Sequence, residues 1–360
     1  MSAAPLLVVR GLGVSYAPAR TGGGGARSAV LAGVDLDLEA GGTLAVVGES
    51  GAGKSTLLAA LVGLLPRGAR VDAGSIRFRG EELVGASETT LRCARGRAIG
   101  VVFQDALAAF DPVVPIGTQV AETLVAHGAC SRGAARERAI ELLARCRLPD
   151  PAAAARAVAH ELSGGMRQRA LVASAIAHGP ALLLADEPTS ALDPTLAADV
   201  LDLLEAERAT RGTALLVVTH DLALARERCE RVAVLHRGRV VETGPARAVF
   251  ARPAHPYVEE LVAARRALET PGAGAPPHAA SPRSAVGGCA FARGAGSRAR
   301  GARRPCRRSS RSRETPRGRS RRTLRGRSLP SAARACRRRR TRPTPRIPPR
   351  AAPRASSRAR

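Results

Sequence analysis

The chain has 360 residues, 45% of them hydrophobic, which is room for one large domain with appendages or for two domains, and enough for a real core. Aromatic residues make up only 2%, so that core must be built from Leu, Val and Ala. No run approaches the ~18 apolar residues of a membrane span, and the cysteines are odd in number with no C-x-x-C pair, which excludes a spanning helix and points to free thiols in a reducing compartment.

Leu6 to Val14 reads as a first strand, with Tyr16 close behind it. Its Leu6–Val9 run is too short for a signal-peptide core, so the protein is expected to be made and kept in the cytoplasm. Thr21-Gly22-Gly23-Gly24-Gly25 reads as a flexible loop. Val34 to Leu38 alternates apolar and acidic residues, as a half-exposed strand does. Thr43 to Val47 is a short apolar run and reads as a buried strand.

The next stretch, Gly48-Glu49-Ser50-Gly51-Ala52-Gly53-Lys54-Ser55-Thr56, fits G-x-x-x-x-G-K-[ST], the phosphate-binding P-loop. Leu57 to Leu65 is apolar and free of proline, and predicts a helix closed by Pro66. Strand, glycine loop and helix suit the chemistry. The glycines let backbone N–H groups curl around phosphate oxygens, and the helix start adds unpaired donors and a positive dipole end. Lys54, the only lysine in the chain, would reach the β- and γ-phosphates, and the Ser55 hydroxyl would ligate Mg²⁺.

Ser75 to Phe78 with Gly80 predicts a further strand and turn, and Ala98 to Phe103 a strand ending at Gln104. The character changes from Asp105 to His160. Val120 to Ala126 and Ala134 to Leu148 carry apolar residues at helical spacing, with Ile140, Leu143 and Cys146 on one face. This predicts an inserted helical subdomain, broken by Pro149 and Pro151. Leu162-Ser163-Gly164-Gly165 then opens a long helix through Ala177.

Leu182 to Ala185 predicts a buried strand ending in Asp186-Glu187. Thr195 to Ala209 predicts a helix with Leu196, Val200, Leu203 and Leu204 on one side, and Thr213 to Val218 another buried strand ending at His220. A helix over Asp221 to Glu230 and a hairpin across His236-Arg237-Gly238 follow. Strands alternating with helices imply a mostly parallel sheet, with catalytic groups at the carboxyl ends of its strands. Gln104, Asp186 and His220 each follow such a strand.

The net charge of +27 is unevenly spread. Residues 292–360 hold 26 Arg and a single acidic residue, Glu314, whereas the first 291 residues hold 31 basic and 29 acidic residues. From Thr270 onward Pro, Gly, Ala, Ser and Arg take over, and such a segment cannot bury enough surface to offset chain entropy, so it is expected to be disordered. The break after Phe291 has the composition of GC-rich DNA read out of frame, which points to a frameshift near Ala292.

Taken in order, the motifs are Val101-Val102-Phe103-Gln104-Asp105, Leu162-Ser163-Gly164-Gly165-Met166-Arg167-Gln168-Arg169, Leu182-Leu183-Leu184-Ala185-Asp186-Glu187-Pro188, Ser190-Ala191-Leu192-Asp193 and Val218-Thr219-His220-Asp221. With the P-loop, this set resembles the nucleotide-binding subunit of an ABC transporter over residues 5–265. The resemblance implies an α/β P-loop ATPase: a mostly parallel sheet core, an antiparallel β subdomain and a helical insert at about 105–178. Residues 1–265 would form the ATP-binding domain, and residues 266–360 the tail.

The resemblance also assigns roles. Tyr16 would stack on adenine, and Asp186 would hold the Mg²⁺ of ATP. Glu187 would polarise the attacking water, and His220 would bond the γ-phosphate. Gln104 would touch Mg²⁺ or water and report nucleotide state to the insert. Ser163, Gly164 and Gly165 would cap the γ-phosphate held by a second, identical or paralogous ATPase subunit in a head-to-tail dimer.

Phe103-Gln104-Asp105-Ala106-Leu107-Ala108-Ala109-Phe110-Asp111-Pro112 and His255-Pro256-Tyr257 are similar to oligopeptide, dipeptide and nickel importer ATPases. That subfamily usually has Pro where Ala106 stands and Leu-Asn where Phe110-Asp111 stand. The implied partners are two transmembrane permease subunits and, indirectly, a solute-binding protein, with the ATPase peripheral on the inner face of the membrane. Gly288-Cys289-Ala290-Phe291 resembles the start of that subfamily's cysteine cluster, but Cys289, Cys306 and Cys336 are too widely spaced for an ordinary Cys₄ site. A soluble ABC ATPase is a rival reading, opposed by the segment after Gln104. An arginine tail binding phosphate backbones is another, and nucleic acid is not among the expected partners.

Overall fold

The computed structural model describes residues 5–18, 26–190 and 192–269. The expectations for the Thr21–Gly25 loop, for Ala191, for the tail from Thr270 and for Cys289, Cys306 and Cys336 lie outside the described residues.

In chain order the elements are β1 (Leu7–Tyr16), β2 (Ser28–Leu38), β3 (Thr43–Val47), α1 (Lys54–Leu61), β4 (Ala69–Phe78), β5 (Glu81–Glu82), α2 (Glu88–Ala94) and β6 (Ile99–Val102). The helices α3 (Ala106–Ala109), α4 (Ile116–Ala126), α5 (Arg132–Arg145), α6 (Pro151–Arg156) and α7 (Gly164–Ile176) follow. Then come β7 (Leu182–Asp186), α8 (Pro194–Arg211), β8 (Ala214–Thr219), α9 (Leu222–Arg228), β9 (Arg231–His236), β10 (Arg239–Pro245), α10 (Ala246–Ala251) and α11 (Pro256–Glu269).

Two sheets result. A four-stranded sheet runs β2-β1-β4-β5 with every pairing antiparallel. A six-stranded sheet runs β10-β9-β3-β8-β7-β6, parallel except for the β9–β10 hairpin at its edge. The central strands are buried on both faces, which explains their near-continuous apolar sequence. Alternation then sorts their side chains between two cores. Ala45, Val47, Leu183, Ala185, Leu215 and Val217 face the core shared with the helical insert. Leu44, Val46, Leu182, Leu184, Leu216 and Val218 face the core shared with α1 and the antiparallel sheet. Among the described residues no helix is long and apolar enough to cross a membrane.

The fold class expected from the motifs is the one found, with local corrections. β2 starts at Ser28, not Val34, and β4 at Ala69, not Ser75. Both strands pair with β1 through register shifts, which break the period-two pattern that sequence reading relies on. At Gly74 (φ +93°) an added Cβ would lie 2.6 Å from the carbonyl oxygen of Arg10, so only glycine allows β4 to pass β1 there. α1 begins at Lys54 and ends at Leu61, four residues before the expected stop, and Leu64 beyond it is 47% exposed. In α5 the buried face is Ala135, Ala139, Leu142 and Leu143, continued by Cys146; Ile140 is 38% exposed and belongs to the solvent side. The buried stripe follows small alanines that a search for large apolar residues passes over.

Candidate active site

The parallel strands deliver their carboxyl ends to one edge in register: Val47 pairs with Thr219, Asp186 with Val218, and Val102 with Ala185. The segments that follow β3, β8, β7 and β6 therefore lie side by side, and they carry the P-loop, His220, Glu187 and Gln104.

The loop itself is tightly braced. A Cβ on Gly48 would lie 2.2 Å from the carbonyl oxygen of Leu235, so the loop leaves β3 pressed against β9. Gly53, at φ +104°, precedes the first residue of α1. The N–H of Ala52 donates to the carbonyl of Glu49 (3.1 Å), and the N–H of Gly238 in the β9–β10 turn donates to the carbonyl of Ala52 (3.0 Å). Lys54 is buried, and its Nζ donates to the carbonyls of Gly48 (2.8 Å) and Glu49 (3.0 Å). Burial pulls its pKa down from the usual lysine value, while the carboxylates of Glu187, Asp186 and Glu49 pull the other way. The ammonium thus sits between the loop carbonyls and a carboxylate cluster.

Asp186 closes β7. Burial raises its pKa above the ordinary carboxylate range, a hydrogen bond with Ser55 opposes that shift, and the Glu187 carboxylate adds to it. Its Oδ1 is buried with no hydrogen-bond partner among the described residues. A buried carboxylate oxygen left unpaired beside a serine hydroxyl is a donor set that fits a small hard cation such as Mg²⁺.

Glu187 takes a left-handed backbone, φ +44°, a costly conformation for a residue with a side chain. Its N–H donates to the carbonyl of Val218 (2.9 Å), and a turn returns the N–H of Ser190 to its own carbonyl (3.2 Å). The twist turns the carboxylate towards His220, whose Nδ1 lies 3.2 Å from Oε2. Glu187 is mostly buried, with its side chain 17% exposed, whereas that of His220 is 64% exposed and faces the open edge.

The remaining expected residues divide into two groups. The Tyr16 hydroxyl lies 3.2 Å from Thr56 Oγ1, which puts the ring beside the start of α1. Gln104 is exposed just past β6 and precedes Asp105, which caps α3 by accepting from the N–H groups of Leu107 and Ala108. Ser163 caps α7 by accepting from the Met166 N–H (3.3 Å), and Gly165 is packed so closely on Leu196 that a Cβ would lie 2.9 Å from it. Ser163, Gly164 and Gly165 belong to the insert and share no recorded hydrogen bond with the P-loop among the described residues.

Sequence reading missed the rear support of the loop. In the sequence His236 and Gly238 mark only a hairpin turn, and Tyr257 only the end of His-Pro-Tyr. The Tyr257 hydroxyl accepts from the Glu49 N–H at 3.2 Å, across 208 positions, a separation that no spacing rule detects.

Comparison with known proteins agrees with this fold. The family described as ABC transporter matches residues 31–190, a span that includes the loop and the Asp186-Glu187 pair. A probable peptide ABC transporter ATP-binding protein of Sinorhizobium fredii is 43% identical over 233 residues, covering 64% of this chain and 70% of that protein. The chain belongs to the ABC transporter ATP-binding proteins. It binds ATP and is an ATP hydrolase of the transporter type. The oligopeptide transport ATP-binding protein OppD of Bacillus subtilis is 40% identical over 268 residues, covering 74% of each chain. Among solved structures, the dimeric ATP-binding cassette MJ0796, in a post-hydrolysis state bound to ADP and Pi, superposes with a TM-score of 0.59 at 28% identity. That match covers 67% of this ABC chain and 98% of the other.

Proposed function

We propose that this ATP hydrolase powers the import of peptides through a membrane complex, with Glu187 as the residue that polarises the attacking water. The observation that carries the site reading is the cluster at one sheet edge: buried Lys54, the orphaned Asp186 oxygen, and Glu187 in contact with His220. The peptide reading is supported by relatives named for oligopeptide or peptide transport, including a putative peptide import ATP-binding protein of Brucella melitensis at 43% identity over 269 residues.

In this reading Tyr16 stacks on the adenine, and the N–H groups of the Gly48–Thr56 loop other than those of Glu49 and Ala52, which are held internally, bind the phosphates together with Lys54. Ser55, Asp186 and Gln104 would hold Mg²⁺, which supplies charge neutralisation on the phosphate oxygens when bound. Glu187 accepts a hydrogen bond from the nucleophilic water, and His220 bonds the γ-phosphate while steadying the Glu187 carboxylate. Ser163, Gly164 and Gly165 act in trans, capping the nucleotide bound to a second cassette, so that ATP joins the two halves and hydrolysis lets them part. The cassettes sit against two permease subunits on the cytoplasmic face of the membrane, with a solute-binding protein delivering peptide.

Glu187→Gln keeps the shape of the side chain and removes its charge. ATP binding should persist, turnover should fall by about 10²–10⁴-fold, and ATP-held dimers should accumulate on size exclusion. Parent-rate hydrolysis in this variant would remove Glu187 from the role. Stimulation of the reconstituted complex by peptide-loaded binding protein, and not by a nickel-loaded one, checks the solute class.

A further inference from the structure

The His255-Pro256-Tyr257 segment has no part in the chemistry above, yet it reaches the phosphate-binding loop. Tyr257 is 3% exposed, and its hydroxyl accepts the Glu49 N–H at 3.2 Å. The carbonyl of the same Glu49 accepts from Lys54 Nζ at 3.0 Å. The Tyr257 ring packs against His236 with centroids 3.9 Å apart and planes tilted by 34°. His236 ends β9, next to Leu235, whose carbonyl backs Gly48, and two residues before Gly238, whose N–H holds the carbonyl of Ala52.

The turn that presents Tyr257 is itself tethered. The Glu242 carboxylate of β10 accepts from the N–H groups of Ala254 (3.0 Å) and His255 (3.0 Å), and the Tyr257 N–H donates to His255 Nδ1 (3.1 Å). The hydroxyl is therefore held by the same hairpin that braces the loop. Burial, with the Glu49 carboxylate nearby, pushes the phenol up to about 12, so it is neutral at physiological pH.

We propose that Tyr257 is a positioning residue for the phosphate-binding loop: it holds the Glu49 peptide in place and couples the C-terminal turn to nucleotide occupancy. The proposal rests on the nucleotide-site reading given above. A loop whose Glu49 peptide is released samples conformations that do not present its N–H groups to phosphate, and apparent affinity falls with the competent fraction. The groups that act on the γ-phosphate are untouched. By reciprocity, nucleotide that fixes the loop must also steady the turn, where the N–H groups of Val258 and Glu259 bond the carbonyl of His255.

The test is Tyr257→Phe in the full chain, which keeps the ring on His236 and deletes only the hydroxyl. Loss of the hydrogen bond to the Glu49 N–H predicts an ATP Kd and KM raised about three- to tenfold, with kcat unchanged. Hydrogen exchange should quicken at the Glu49 amide, and ATP should protect the Val258 and Glu259 amides in the parent but not in the variant. Parent KM together with parent exchange at Glu49 overturns the proposal. So does a fall in kcat with KM unchanged, which marks a merely structural role. Lys54→Ala separates the two layers: if it retains parent ATP affinity, the nucleotide-site reading falls, whereas loss of affinity in Lys54→Ala beside parent behaviour in Tyr257→Phe sinks the positioning role alone.

Discussion

Asp186→Asn asks whether the buried carboxylate serves a cation or the fold. Among the described residues Oδ1 of Asp186 is buried without a hydrogen-bond partner, and burial raises the pKa of the group. An unpaired buried charged oxygen costs about 1–3 kcal/mol, and the low end applies here because Ser55 satisfies part of the carboxylate and the group is only partly buried. Asparagine has the same shape and no charge. Relief of about 1 kcal/mol raises the melting temperature of a domain this size by roughly 2–4 °C. The pH dependence has a definite sign. A carboxyl whose folded pKa is raised keeps its proton in the folded state where the unfolded chain has lost it, so stability falls as pH rises from the ordinary value of 3.8 through the folded pKa. The deficit persists at neutral pH, and the gap between variant and parent should close as pH is lowered towards 4. With ATP at a hundred times its Kd, ligand binding adds about 2.7 kcal/mol to the parent. The part of that gain that requires Mg²⁺ should vanish in Asp186→Asn. The assay is a set of thermal melts: ligand-free, with ATP and EDTA, and with ATP and Mg²⁺. A ligand-free variant that melts below the parent, or one that keeps the full Mg²⁺-dependent shift, refutes the reasoning.

Lys54→Ala removes the loop's only side-chain cation and the two hydrogen bonds that its Nζ makes to Gly48 and Glu49, so ATP binding should be lost in equilibrium dialysis. Burial, helped by Arg237 and His255, lowers the His236 pKa to about 4, below the ordinary 6.5. The unfolded chain therefore takes up a proton between those values that the folded state refuses, and stability declines as pH falls through that window. His236→Phe keeps a ring against Tyr257 and should flatten the decline in melting temperature between pH 6.5 and 4.5; an unchanged slope would assign it to other groups.

Much of the fold could be read from local pattern. β3, β7 and β8 are contiguous apolar runs that end in a glycine loop, an acidic pair and a histidine, and a strand buried on both faces has no polar side to confuse the reading. The bulged halves of β2 and β4 were not legible, because each register shift moves the apolar residues to the other face and cancels alternation. Ile140 misled for a related reason: large apolar residues do not mark the buried face of α5 when alanines do.

The residue types of the site were also present in the sequence. Lys54, Ser55, Asp186, Glu187 and His220 could be singled out because each lies at or beyond the carboxyl end of a strand and belongs to a recognisable motif. Only the tertiary structure decided how they meet. The in-register pairing of β3, β8 and β7 sets the loop, His220 and Asp186 along one edge, and the left-handed turn at Glu187 brings its carboxylate to His220. The brace behind the loop was beyond any local rule. Glu49 and Tyr257 are 208 positions apart, and their hydrogen bond exists only because the β9–β10 hairpin carries the chain back to the sheet edge where the loop begins. Sequence patterns record what neighbouring residues do to the backbone, whereas a contact between distant segments depends on the path of the chain between them.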